Sequence, residues 1–248
     1  MKNNNKILTI TSSHDLTIDY ILKKHPNVNL FRLNLDQFSK YEVSIDSENF
    51  HIRSSNNEEI NSGTCKSIYY RKPSFEDLSG VFEAQYHDFV HREAYTMIEG
   101  IAEGFDGLCL SRPSRLRAAD NKIKQLSLAQ KCGFKIPKSL ITNSAKSSEG
   151  FRTKECIVKP VASGTVTYLN SKEFVQTNIV NPEIDISSLT YSPCYFQEYI
   201  NKDYEVRATV VGSNIIAVRI DSDDKVDWRR PGNDVHYSLY KLPENIKK

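Results

Sequence analysis

No apolar run in the 248 residues approaches the length of a membrane span, so the sequence offers no transmembrane helix. It has no secretory signal either: the basic start through Lys6 leads into only a short apolar segment, residues 7–10. It has little net charge, +2 from 33 Lys and Arg against 31 Asp and Glu, which gives no mandate for nucleic acid or a membrane surface. It has no CxxC pair. The five cysteines, Cys65, Cys109, Cys132, Cys156 and Cys194, are scattered and odd in number. Four sit in apolar or helical surroundings, and we expect reduced core thiols in a cytoplasmic protein. What is present is ordinary for a soluble globular chain: 39% hydrophobic and 26% charged residues, enough for one large domain or two smaller ones.

The N-terminal third alternates strand and helix. Residues 6–11 form a short buried strand, and Ser13 and Asp15 can cap a helix over 16–24, where Ile18, Ile21 and Leu22 have helical spacing. Residues 28–33 alternate as a second strand, which makes an α/β unit. Strands over 42–45 and 50–52 follow, then a polar loop over 54–63. Tyr69-Tyr70-Arg71-Lys72-Pro73 ends a β-rich run in two cations. A strand with a solvated basic end explains it on residues alone; a basic rim for an anionic substrate is the functional alternative. The longest helical pattern covers 81–103. His87 and His91 lie four apart on it without an evident third ligand, so an exposed helix face outweighs a metal site. Residues 108–110 read as a short buried strand, and a domain boundary is expected at 113/114.

The second half is predicted to open with a helix over 119–133, capped by Asp120 or Asn121 and closed by Gly133, with Ile123, Leu126, Leu128 and Ala129 as its buried side. Lys122 falls in its first turn. A cation there opposes the helix dipole unless an anion sits close, a modest hint of phosphate contact. After a strand over 139–142 and a polar linker over 143–150 comes the most informative stretch. Cys156-Ile157-Val158 is a buried-strand run that delivers Lys159 at its end; Pro160 stops it. A small-residue turn with Ser163 and Gly164 at its centre follows, then a β-rich run. Strand, lysine and flexible turn form a workable phosphate grip, although a plain hairpin with a surface lysine has the same pattern. A short helix over 171–176 and an irregular, mobile segment over 181–193 are expected next. Strands are expected over 195–200, 205–211, 215–220 and 237–242, the middle two paired as a hairpin.

With these words laid out, the chain resembles the ATP-grasp ligases, and among them the peptide-modifying microviridin and graspetide type. The matching words are Tyr69 to Pro73, Asn121-Lys122 with Gln125 and Ala129, Gly133 to Pro137, Val158-Lys159-Pro160, Gln197-Glu198-Tyr199-Ile200, Glu205-Val206-Arg207 and Asp227-Trp228-Arg229. Their order and spacing carry the likeness; no single word does. The resemblance implies an α/β (α+β) fold with a pre-ATP-grasp domain over 1–113 and an ATP-grasp domain over 114–248. It implies that Lys122 and Lys159 hold nucleotide phosphates under a flap containing Ser163 and Gly164. Glu198, Tyr199 and Ile200 then correspond to the hinge that binds adenine through its backbone, and Glu205 to the carboxylate that accepts ribose hydroxyls. Arg207 and Arg219 match arginines that steady the transferring phosphate, and Arg71 and Arg229 are candidates for peptide contact.

The implied reaction uses ATP to make an acyl phosphate on an Asp or Glu of a precursor peptide, which a hydroxyl or amine then displaces to give an ester or amide cross-link. A RimK-like ligase acting on a protein substrate shares this chemistry. The acidic stretch Asp221, Asp223, Asp224 could receive a basic leader peptide; a solvated hairpin tip is at least as good a reading. The family holds Mg2+ with an acidic pair and an asparagine on strands beyond this point, whereas here only Glu244 and Asn245 follow Leu242. A shortened chain, a split gene product completed by a partner, or a catalytically incomplete relative that binds nucleotide or peptide is therefore expected. Apolar surface left uncovered then points to a homodimer or partner subunit.

Overall fold

The computed structural model describes residues 5–162, 164–168 and 171–247 and divides into two compact units, residues 1–119 and 120–248. Ser163, expected in the phosphate flap, lies outside the described residues.

The first unit runs β1 (Lys6–Thr11), α1 (Leu16–Lys24), β2 (Leu30–Asn34), β3 (Tyr41–Ile45), β4 (Phe50–Ser54), β5 (Glu59–Asn61), β6 (Cys65–Tyr70), α2 (Ala84–Gly104), β7 (Leu108–Leu110) and α3 (Pro113–Asp120). The order β2-β1-β6-β7 makes a parallel sheet, and β3-β4-β5 an antiparallel meander. Leu8, Ile10, Phe31, Leu33, Ile68 and Tyr70 of the sheet share one core with Ile52 and Ile60 of the meander and Ile98, Ile101 and Ala102 of α2. The polar loop expected over 54–63 contains β5, because Ile60 is buried in that core and pairs with Ile52. The helix expected from residue 81 begins at Ala84: Val81 and Phe82 fold back by backbone bonds to Leu78, and Val81 stays exposed. The strand at 108–110 forms, yet Leu108 is 71% exposed, since β7 is an edge with one partner.

The second unit runs α4 (Lys122–Lys131), β8 (Ser139–Thr142), α5 (Ala145–Ser148), β9 (Cys156–Pro160), β10 (Thr165–Tyr168), β11 (Ser171–Phe174), β12 (Asn178–Ile179), β13 (Cys194–Glu198), β14 (Glu205–Val211), β15 (Asn214–Ser222) and β16 (Val235–Leu239). The order β12-β9-β13-β8 makes an antiparallel sheet. β10 and β11 form a two-stranded ribbon, and β14-β15-β16 a three-stranded sheet.

Several expectations are corrected here. The expected helix begins at Lys122, with the Asn121 side chain accepting the Lys124 amide as its cap; what the sequence reading lacked is the separate helix α3 before it, which the extended backbone of the cap ends. None of α4 is buried, and Ile123 and Leu128 are exposed rather than core. Cys132, at its C-terminal end, is exposed too, unlike buried Cys65 and Cys156. Residues 171–176 are not helical: β11 pairs along β10, so a cross-strand partner overrides weak local preference. The linker over 143–150 contains α5, capped by Ser144, and Ser148 is fully buried. The segment 181–193 is tied down. Val180 and Leu189 join a core with Phe151, Cys156 and Phe196, and Arg152 donates to the carbonyls of Pro182 and Ile184 at 2.5 and 2.7 Å.

Candidate nucleotide site

The four-stranded sheet of the second unit has two unlike faces because side chains alternate along each strand. Cys156 and Val158 of β9, with Cys194 and Phe196 of β13, face the core. The intervening residues face the other way. Register then sets Lys159 opposite Tyr195, and Gln197 opposite both Ile157 and Ser139. Sequence neighbours are thus sorted into a greasy side and a chemical side.

On the chemical side lies a cavity of about 700 Å3, lined among others by Lys122, Gln125, Lys159, Gly164, Asp227 and Arg229. Lys122 reaches it from the first turn of α4 and Lys159 from the sheet, so a helix start and a strand end meet on one space. The Lys159 ammonium donates to the Gln197 side-chain oxygen at 3.0 Å and lies 4.2 Å above the Tyr195 ring, whose negative face attracts a cation. Burial, aided by the charges of Lys122 and then Lys202, lowers the pKa of Lys159 below the ordinary lysine value. Like-charged groups converging without a carboxylate paired to either cavity lysine among the described residues leave a positive site that an anion would relieve.

Gly164, on the cavity wall, lies tight against neighbouring backbone. A side chain there would overlap the Val175 carbonyl and press on Pro160, and the Gly164 carbonyl already accepts the Val175 amide at 2.5 Å. Only glycine fits such an approach. Arg229 adds a guanidinium that lies 4.9 Å from the Trp228 ring centre and 3.3 Å from the Asp227 carboxylate. Asp227 is itself buried and accepts the Arg229 amide.

Other candidates do not line this cavity. At the end of β13 the Glu198 and Tyr199 amides are spent on the carbonyls of Lys138 and Glu155, at 2.9 and 2.8 Å. The Ile200 amide makes no bond to a described residue. Glu205 pairs with Lys202 at 2.7 Å, and Lys202 is, after Lys122, the second cation whose charge reaches Lys159. Arg207 is exposed, opposite Val218. Arg219 is held by Asp221 at 2.6 Å and lies 4.0 Å over the Tyr204 ring. Arg71 belongs to the first unit, where it binds Asp15 at 3.0 Å and the Thr17 hydroxyl at 2.7 Å. The acidic stretch is structural in part: Asp221 holds Arg219, and Asp224 accepts the amides of Val226 and Asp227. His87 and His91 bond to the carbonyls of Phe82 and Glu76. Among the described residues no three His, Cys, Asp or Glu side chains come together as a metal-holding group.

Sequence reasoning missed Tyr195, Gln197, Ser139, Lys202 and Asp227 as site residues. Period-two alternation in residues 194–198 could have put Tyr195 and Gln197 on the lysine's face; nothing local marks Ser139 or Lys202.

A family model described as the MvdD pre-ATP grasp domain matches residues 6–116. No curated protein sequence matches the chain. Among solved structures, the chain is similar to a Chryseobacterium gregarium RiPP-associated ATP-grasp ligase in complex with ADP and a leader and core peptide. That match has TM-score 0.82 and 26% identity and covers 98% of this chain and 79% of that one. The macrocyclase MdnC of Microcystis aeruginosa, bound with precursor peptide MdnA, matches with TM-score 0.82 and 23% identity over 97% of this chain and 80% of that one. The ATP-grasp ligase PsnB, complexed with a phosphomimetic variant of a minimal precursor, Mg and ADP, matches with TM-score 0.74 and 20% identity over 98% and 79%. Residues 6–116 thus match the model of an MvdD pre-ATP-grasp domain, the chain has the ATP-grasp fold, and the solved structures it resembles include a RiPP-associated ATP-grasp ligase and a macrocyclase.

Proposed function

We propose that the chain is an ATP-dependent carboxylate ligase that cross-links side chains of a ribosomally made precursor peptide through an acyl phosphate. The observation that carries this reading is the convergence of Lys122 and Lys159 on one cavity, with no carboxylate paired to either among the described residues. ATP phosphates answer that charge. The Ile200 amide, which bonds to no described residue, fits an adenine edge at the hinge, while Glu198 and Tyr199 position it by their bonds to Lys138 and Glu155. Glu205, paired with Lys202, would accept ribose hydroxyls. Gly164 lets the flap backbone come close to phosphate oxygens.

The chemistry asked of the protein is charge dispersal. As the peptide carboxylate attacks the γ-phosphorus, negative charge spreads over the transferring oxygens, and fixed cations lower the barrier. Arg207 and Arg219 are assigned to that step. Arg219 keeps donors to spare, because Asp221 occupies only its Nε and one terminal nitrogen. Arg71 and Arg229 are assigned to the peptide. The domains follow as 1–113 for the pre-ATP-grasp part and 114–248 for the ATP-grasp part. Mg2+ would neutralise β- and γ-phosphate charge; Asp227 is the one carboxylate on the cavity, so this chain's described residues do not make a Mg2+ cage and no step is assigned to it. A hydroxyl or amine of the same peptide completes the ester or amide and releases phosphate.

A candidate precursor peptide should stimulate ADP release, and Lys159→Ala should abolish it. The second reading, a relative that binds nucleotide or peptide without turnover, draws on the cavity's donor set of three cations, Lys122, Lys159 and Arg229, to one carboxylate. Binding of both ligands with no ADP release would establish it. Addition of amino acids to the terminus of a protein substrate, in place of cross-linking within a short peptide, would favour the RimK-like alternative. We also assign the chain a homodimer or partner subunit, supported by Val210, Val211, Ile216 and Leu239 exposed on the β14–β16 sheet. A monomer in sedimentation across micromolar concentrations would count against that assignment.

A further inference from the structure

Lys159 has a neutral partner where a carboxylate would be the stronger one. Gln197 stands beside it on β13, with its side-chain oxygen 3.0 Å from the ammonium. An amide can flip to present its NH2 group instead, which would repel a cation. Here the flip is blocked from the far end. The Gln197 NH2 donates to the Ser139 hydroxyl at 2.9 Å and to the Tyr195 hydroxyl at 2.9 Å. Ser139 is in turn committed, its hydroxyl donating to the Pro137 carbonyl at 2.8 Å, so it can only accept from the amide. The carbonyl of Pro137 thus fixes Ser139, Ser139 fixes the Gln197 amide, and the amide fixes the lysine. Cross-strand register brings the parts together: Gln197 lies opposite Ser139, and Tyr195 opposite Lys159.

We propose that Gln197 is a positioning residue for Lys159, locked by Ser139 and Tyr195 so that it aims the ammonium into the cavity without cancelling its charge. The proposal rests on the nucleotide reading of that cavity. A carboxylate at this position would hold the lysine more strongly but would form an ion pair and leave less charge for phosphate. An apolar residue would leave the ammonium without an acceptor and free to swing. Glutamine is the residue of this length that orients without neutralising.

The charged and titratable groups facing Lys159 are Lys122 from α4, Lys202 from the segment after β13, Tyr195 beneath it, and Asp227 with Arg229 across the same cavity. Two of the cations and burial hold its pKa down. Gln197→Glu adds an adjacent negative charge and moves that titration up.

The test has two arms on the full chain. In the first, the Lys159 side-chain methylene next to nitrogen is followed by NMR against pH without nucleotide. Gln197→Glu should raise its midpoint by a unit or more, and Ser139→Ala should change its chemical shift at constant pH. In the second, ADP and adenosine are titrated into wild type, Gln197→Glu, Gln197→Met and Ser139→Ala. Gln197→Glu should weaken ADP about tenfold or more and leave adenosine unchanged, and Ser139→Ala should give an intermediate loss. Thermal melts identify any variant that fails to fold, and Ser139→Ala, a single-atom deletion, keeps the lock testable if Gln197 variants do not. A wild type that binds ADP, with Gln197→Glu binding equally well and an unmoved Lys159 titration, overturns the assignment to Gln197. A wild type that binds neither ADP nor ATP overturns the ligase reading instead, while the first arm still decides whether the lock exists.

Discussion

Lys159 shows how a residue's surroundings set what it can do. Burial and two neighbouring cations lower its pKa, so its protonated form is less favoured than that of an ordinary solvated lysine. The sign follows directly. Between the lowered folded value and the ordinary unfolded one, the unfolded chain binds more protons, so this group makes the empty protein more stable as pH rises through that window. On the proposed nucleotide reading, phosphate binding runs the opposite way, because it needs the ammonium. ADP affinity should therefore fall as pH rises through the lowered value, with a limb that Lys159→Met removes; an affinity flat over the alkaline range would contradict this. Gly164 makes a second residue-level prediction. Gly164→Ala collides with the Val175 carbonyl, backbone that cannot rotate away, so the ribbon start must shift. Nucleotide affinity should drop at least tenfold, while hydrogen exchange of the first unit stays unchanged.

At the scale of elements, ends and ties matter more than lengths. Asp15 caps α1 by accepting the Thr17 amide, and the same carboxylate takes the Thr11 hydroxyl and Arg71. Burial works to raise its pKa, but these bonds together outweigh it and hold the carboxyl below its usual value. A depressed carboxylate stabilises the fold above its unfolded value and loses that contribution as pH falls through the folded value. Asp15→Ala should cost about 1–2 kcal/mol at neutral pH, with the deficit shrinking in acid, as denaturant melts at several pH values would show. The segment after β12 is an equally local matter. Arg152 clasps the carbonyls of Pro182 and Ile184, so Arg152→Ala should speed hydrogen exchange across residues 181–192 while leaving β9 and β13 protected. The same reasoning explains why residues 171–176 were misread as a helix: a ribbon partner, absent from any short window, chose the strand.

At the scale of the whole molecule, the two units should respond differently to ligand, since every described residue of the nucleotide cavity belongs to residues 120–248. ADP at a hundred times its dissociation constant adds about 2.7 kcal/mol to whatever it binds. For a body of this size that corresponds to roughly 10 °C in melting temperature. Calorimetry should show the shift in the transition of residues 120–248, and Lys159→Ala should erase it. An equal shift in both transitions would mean that the units melt as one.

The sequence by itself determined the α/β start, the strand that delivers Lys159, the Asn121 cap that puts Lys122 in a first turn, and the run of short words that mark an ATP-grasp relative. Each is local: a periodicity, a cap or a spacing readable within a few residues. Only the tertiary structure decided that Ser139, Lys159 and Gln197, up to 58 residues apart, share one face and lock one another, or that Lys202 bears on Lys159. The physical reason is cross-strand register. Which side chains meet across a sheet depends on how strands align, and no single strand encodes its partner's alignment.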